Sequence, residues 1–123
     1  MWLRPVLLLA LLSGCASADA PPTGGQLFAV TADPTATPHR GSNSFSVHVR
    51  TLGGQPVTGA TLDVLATMPA HAHEAPAPHV TDKGGGLYVV DDVIFSMAGL
   101  WQLRVVARAA QGSDGKTFQY EVP

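Results

Sequence analysis

Three of the five histidines fall within one short stretch, Met68-Pro69-Ala70-His71-Ala72-His73-Glu74-Ala75-Pro76-Ala77-Pro78-His79. Imidazole nitrogen and thioether sulfur are the donors that suit copper, with thioether favouring the reduced ion. Met68 opens the stretch, and Met97 sits in a second turn-like segment, Phe95-Ser96-Met97-Ala98-Gly99-Leu100-Trp101. The candidate metal set is therefore His71, His73, Met68, His79 and Met97, and the candidate ion is copper. On an extended backbone His71 and His73 project from the same side, because side chains alternate. A polyproline II backbone, which repeats every three residues, would splay them. Pro69, Pro76 and Pro78 work against a helix here and reduce the entropy lost when the loop orders around an ion.

Each candidate also has a plainer reading. Met68 shares the parity of Leu62, Val64 and Ala66, which makes it a core residue at the end of a strand. Met97, just before Gly99 and Trp101, suits sulfur–aromatic packing. His79 opens the next strand and can simply face solvent, and His71 and His73 can be polar loop residues. Glu74 is either an exposed carboxylate or a partner that orients an imidazole. His39 and His48 belong to neither group, since His48 lies on the polar face of a strand. A structural zinc site is disfavoured for want of free thiolates.

The single cysteine carries a different chemistry. Arg4 precedes an unbroken apolar run from Val6 to Leu12, which ends in Leu12-Ser13-Gly14-Cys15. The run fits a secretory leader but falls short of the roughly 20 apolar residues that span a bilayer. The tetrapeptide resembles a bacterial lipobox. The resemblance implies cleavage after Gly14, a diacylglyceryl thioether on Cys15 and acylation of the new amine, often by palmitate. One acyl chain binds a membrane only marginally, whereas two or three hold firmly. The alternative is an ordinary leader that leaves Cys15 as a free thiol. Ala16 in place of aspartate implies, by the same resemblance, an outer-membrane position facing the periplasm. Residues 1–14 then form a lipoprotein signal peptide, 15–25 a lipidated flexible tether poor in apolar residues, and 26–123 the folded domain.

The bulk composition narrows the function classes. Losing Arg4 with the leader takes the formal charge from −2 to −3, with no basic stripe, so nucleic acid has no electrostatic footprint. With Cys15 committed to lipid, no disulfide can form and the fold rests on burial. Ser96 and Ser113 lack an adjacent base, and no phosphate-binding glycine loop leads from a strand into a helix. No carboxylate pair stands out either, and Asp91-Asp92 reads as a turn or strand end. The chain is not expected to be an enzyme.

The elements that must position these residues are strands. Gln26–Ala32 is the first. Phe45, Val47 and Val49 alternate with Ser46, His48 and Arg50, and Gly53-Gly54 breaks the run. Leu62, Val64, Ala66 and Met68 share a face, and Pro69 stops them. Gly84-Gly85-Gly86 turns the chain into Leu87–Val90. Trp101, Leu103 and Val105 alternate in what reads as the central strand. Gly112-Ser113-Asp114-Gly115 reads as a hairpin loop leading into Phe118, Tyr120 and Val122, whose face can meet Trp101. No window has helical periodicity. About seven short strands predict an all-β, immunoglobulin-like antiparallel sandwich, with a small closed barrel as the alternative.

The ordered set Met68-Pro69-x-His71-x-His73, Gly86-x-Tyr88 and Phe95-x-Met97-x-Gly99-x-Trp101-x-Leu103-x-Val105 resembles the YtkA-like domain, related to FixH-type proteins. The resemblance covers about Phe45–Val106. It implies an exported immunoglobulin-like domain, often lipid-anchored or fused to membrane segments, in a family frequently associated with copper handling or oxidase assembly. The transmembrane helix of FixH-type proteins is missing, so that role does not carry over. Two functions follow as expectations. The first is a lipid-anchored, periplasm-facing copper carrier or accessory factor. The second is a metal-free module that docks on a protein partner in an envelope complex through a sheet face or the Pro/His loop.

Overall fold

Alternating apolar residues become the facing surfaces of two sheets. The computed structural model describes residues 27–123; the expected leader, the expected tether to residue 25 and Cys15, the expected lipid acceptor, lie outside them. One sheet holds β1 (Phe28–Pro34), β2 (Gly41–Thr51), β6 (Leu87–Phe95) and β5 (His79–Gly84), in the order β1-β2-β6-β5. The other holds β4 (His73–Glu74), β3 (Thr61–Met68), β7 (Gly99–Ala109) and β8 (Gly112–Val122), in the order β4-β3-β7-β8. Every pairing is antiparallel. The arrangement is an immunoglobulin-like sandwich with four strands in each sheet. The strand beyond the expected seven is the two-residue β4.

The inward parities are those the alternation predicts. Phe45, Val47 and Val49 of β2 face Val64, Ala66 and Met68 of β3 and Trp101, Leu103 and Val105 of β7 across the buried layer. Trp101 is fully enclosed, and its ring lies 5.2 Å from Phe95, which stacks edge-on against Phe45 at 6.3 Å. β7 is an interior strand, and Trp101 stands opposite Tyr120 in the β7–β8 ladder.

Three local expectations change. The β7–β8 hairpin turns at Ala110-Gln111, so Gly112–Gly115 belongs to β8. Gly115 sits opposite Val106, where a side chain would come within 3.1 Å of a Val106 methyl, so this glycine serves close packing within a strand. Asp91-Asp92 is not a turn or strand end but lies inside β6 as a bulge. The register slips between Asn43 and Phe45, and Asp92 adopts a left-handed φ of 58°. Finally, Pro69–His71 forms one turn of 3-10 helix, because a proline's fixed φ suits the first helical position. The turn at Gly85-Gly86 matches expectation, with both φ values positive as a two-residue hairpin requires.

Side chains close the sandwich along one flank. The Asp114 carboxylate on β8 accepts the amides of Leu27 and Phe28 at 2.8 and 3.0 Å. At the other end of the same flank, the Tyr120 hydroxyl donates to the Ala32 carbonyl at 3.0 Å. Burial, reinforced by Asp33, pushes that hydroxyl's pKa up to about 12. Two poles result. Leu27, the Thr51–Gly54 turn, Gly85-Gly86 and Ala110-Gln111 gather at one; the 35–40 loop, the Pro69–His71 turn and the 96–98 loop gather at the other.

Candidate metal centre

β3 delivers Met68 to the second pole with its side chain buried against Gly99. Gly99 has a φ of 130°, and a Cβ there would stand 2.8 Å from the Met68 methyl, so only glycine admits this packing. The chain then makes its 3-10 turn and reverses through Ala72, a non-glycine residue at φ 52° whose amide donates to the Pro69 carbonyl at 3.3 Å. β4 returns antiparallel, with Met68 opposite His73 and Thr67 opposite Glu74, and the Ala75 amide donates to the Ala66 carbonyl at 2.9 Å.

The segment is therefore neither extended nor polyproline II between His71 and His73. The turn and the left-handed residue bring the two exposed rings to 6.1 Å between centroids, tilted by 34°. Two imidazoles on one ion, each nitrogen about 2.0 Å from it, have ring centres on the order of 5–6 Å apart. The observed spacing stands at the upper edge of that range, close to a linear arrangement of the two rings about one ion. Residues directly opposite in an antiparallel ladder share a face, with Cβ atoms about 4.5–5.5 Å apart. His73 is thus on the thioether face of Met68, whereas Glu74 shares the outer face with Thr67 and is not placed to orient the His73 ring.

The remaining candidates fall on either side of this core. Met97 is half-buried and packs on the hydrophobic core, while its carbonyl accepts the Trp101 indole N–H at 2.9 Å. His79 goes elsewhere. It opens β5 on the other sheet, and its Nδ1 lies 3.3 Å from the Asp92 carboxylate. Among the described residues no three His, Cys, Asp or Glu side chains converge as a metal-holding group. The thioethers of Met68 and Met97 lie at the same pole as the His71–His73 pair.

Sequence reasoning missed two features of this pole. Asn43 is a buried polar residue that fixes the loop before β2. Its side chain accepts the His39 amide at 3.0 Å and donates to the carbonyls of His39, Gly41 and Val93. The second feature is charge. Among the described residues, the strand registers bring Asp33, Glu74, Asp91, Asp92 and Glu121 toward this pole against a single Lys or Arg, Arg40, giving a field that draws cations. Alternation in the sequence hints at neither, because both depend on which strand ends the topology gathers.

A family model described as YtkA-like matches residues 24–106 of the chain. No curated protein matches it.

Proposed function

We propose that this chain, which belongs to the YtkA-like family, is a lipid-anchored, periplasm-facing carrier or accessory factor for copper. The family is not known as enzymatic. The observation that carries the reading is the His71–His73 pair, held 6.1 Å apart by a one-turn helix and a left-handed residue. The donor chemistry fits copper as cargo, with two imidazoles at the surface and the Met68 sulfur on the face of His73. Two imidazoles with thioether neighbours favour the reduced ion. Met97 is the next donor within the same pole. His79, paired with Asp92, is left out of the first set. Cys15 carries the lipid, and Ala16 supports an outer-membrane position.

Titration of the mature protein with Cu(I) and Cu(II), beside a His71→Ala/His73→Ala variant, tests this reading. Tighter Cu(I) binding that the double substitution abolishes is the expected result. Equal binding by both proteins removes the assigned site, and binding by neither removes the function. A second reading draws on the lack, among the described residues, of a third His, Cys, Asp or Glu donor: a metal-free module docking on an envelope partner. Co-purification of a partner that survives loss of both histidines favours that reading.

A further inference from the structure

Leu52 is the most exposed large apolar side chain among the described residues, at 64%, and it stands at the apex of the turn between β2 and β3. The turn is ordered: the Gly54 amide donates to Thr51 at 2.9 Å, and the Thr51 amide donates to Gln55 at 2.7 Å. Exposed Arg50 is the last residue but one of β2, close by, and exposed Lys83 lies near the end of β5 at the same pole. Neither base is in an ion pair among the described residues. The chain also enters the domain here, at Leu27, beside the β7–β8 hairpin. We infer that this pole, with Leu52 inserted between headgroups and Arg50 and Lys83 at their level, rests on an anionic lipid surface and turns the His71–His73 pole away from it.

The inference rests on the lipid-anchor reading, but the anchor alone does not dictate it. Strands of 11 residues separate the poles by about 35 Å. The steps from Cys15 to Leu27 reach at most ~40 Å when extended. A chain that long lets either pole meet the membrane, so surface chemistry decides. At the Leu52 pole Arg50, Lys83 and Arg108 balance Asp63, Asp82 and Asp114. Those acids are engaged by the Arg108 guanidinium, the Gly84 amide, and the Leu27 and Phe28 amides respectively. The opposite pole sets five carboxylates against Arg40 and is repelled by the same anionic headgroups. An exposed leucine flanked by bases fits the boundary between headgroup and acyl chain.

The test uses the mature protein purified from membranes, with its intact mass measured first. It is reconstituted in phosphatidylethanolamine–phosphatidylglycerol nanodiscs doped with a gadolinium-chelate lipid, and amide signals are followed by NMR. Stronger broadening at Leu52, Gly53, Lys83 and Gly85 than at His71, His73 and Ala98 is expected. Leu52→Glu combined with Arg50→Gln should erase that difference, and should weaken partitioning of the non-lipidated chain into the same lipids roughly tenfold. Equal broadening at both poles, or stronger broadening at the histidines, overturns the inference. A mass without acyl chains overturns the anchor instead. Orientation is then read on chain coupled through its Cys15 thiol to a maleimide lipid, so the two failures stay separate. Broadening nowhere in that sample shows that the Leu52 turn serves a protein partner or none, and ends the proposal.

Discussion

Met68 and His73 stand directly opposite each other in the β3–β4 ladder, yet Met68 is 1% exposed and His73 is open to solvent. One ladder position thus joins the hydrophobic core to the candidate metal pair. Changes beneath the surface should be felt at the imidazoles.

Gly99→Ala tests that link. The added methyl meets the Met68 methyl and must also adopt a φ of 130°, so a loss of about 1–3 kcal/mol is expected. Met68→Ala alone should cost about 2–5 kcal/mol by leaving a cavity. The double variant should lose less than the sum, because the clash disappears with the longer side chain. Denaturant unfolding of all four proteins measures the coupling.

Ala72→Val addresses the turn that sets the ring spacing. A β-branched residue is strained in the left-handed region that Ala72 occupies at φ 52°. A loss of about 1–2 kcal/mol is expected. NMR should show altered signals for His71 and His73 while the sandwich amides stay in place.

Asn43→Ala leaves the His39 amide and three carbonyls without their side-chain partner. For a buried polar network of this kind the expected cost is about 2–3 kcal/mol. Faster amide exchange confined to the 35–40 loop and the start of β2 would accompany it. Unchanged exchange there would mean that Asn43 does not hold the loop.

Tyr120 makes stability depend on alkaline pH. Its folded pKa is raised from 10.0 to about 12, so below pH 10 both folded and unfolded chains keep the proton. As pH rises from 10 toward 12 the unfolded chain gives it up first, binds fewer protons than the folded one, and stability falls. Tyr120→Phe should flatten that limb in urea titrations across this window. It should also cost about 1 kcal/mol at neutral pH for the lost bond to Ala32.

Much of the sandwich was legible because half-buried strands write their orientation every second residue. Phe45–Val49, Leu62–Met68 and Trp101–Val105 all obey that rule. The rule fails where the backbone departs from period two. At Asp91-Asp92 a bulge reverses the parity, and the paired aspartates read like a turn. At Gly112–Gly115 the turn-forming residues serve close packing and strand closure, while Ala110-Gln111 makes the turn with no glycine to announce it. Residue type alone singles out His71 and His73 as a pair. It does not fix their geometry, because the turn at Pro69 and the left-handed Ala72 are set by the return of β4 onto β3. Proximity in the chain groups His79 with the pair, but the topology places it on the other sheet.

The capture of the Leu27 and Phe28 amides by Asp114 also has a mechanical side. The chain's entry point lies at one end of β1, and that strand runs lengthwise between the poles, zipped to β2 by seven opposed residues. A tug between the proposed lipid anchor and anything gripping the far end would load these rungs in parallel, as shear, and not peel them apart one at a time. The domain is thus strung along its strongest direction.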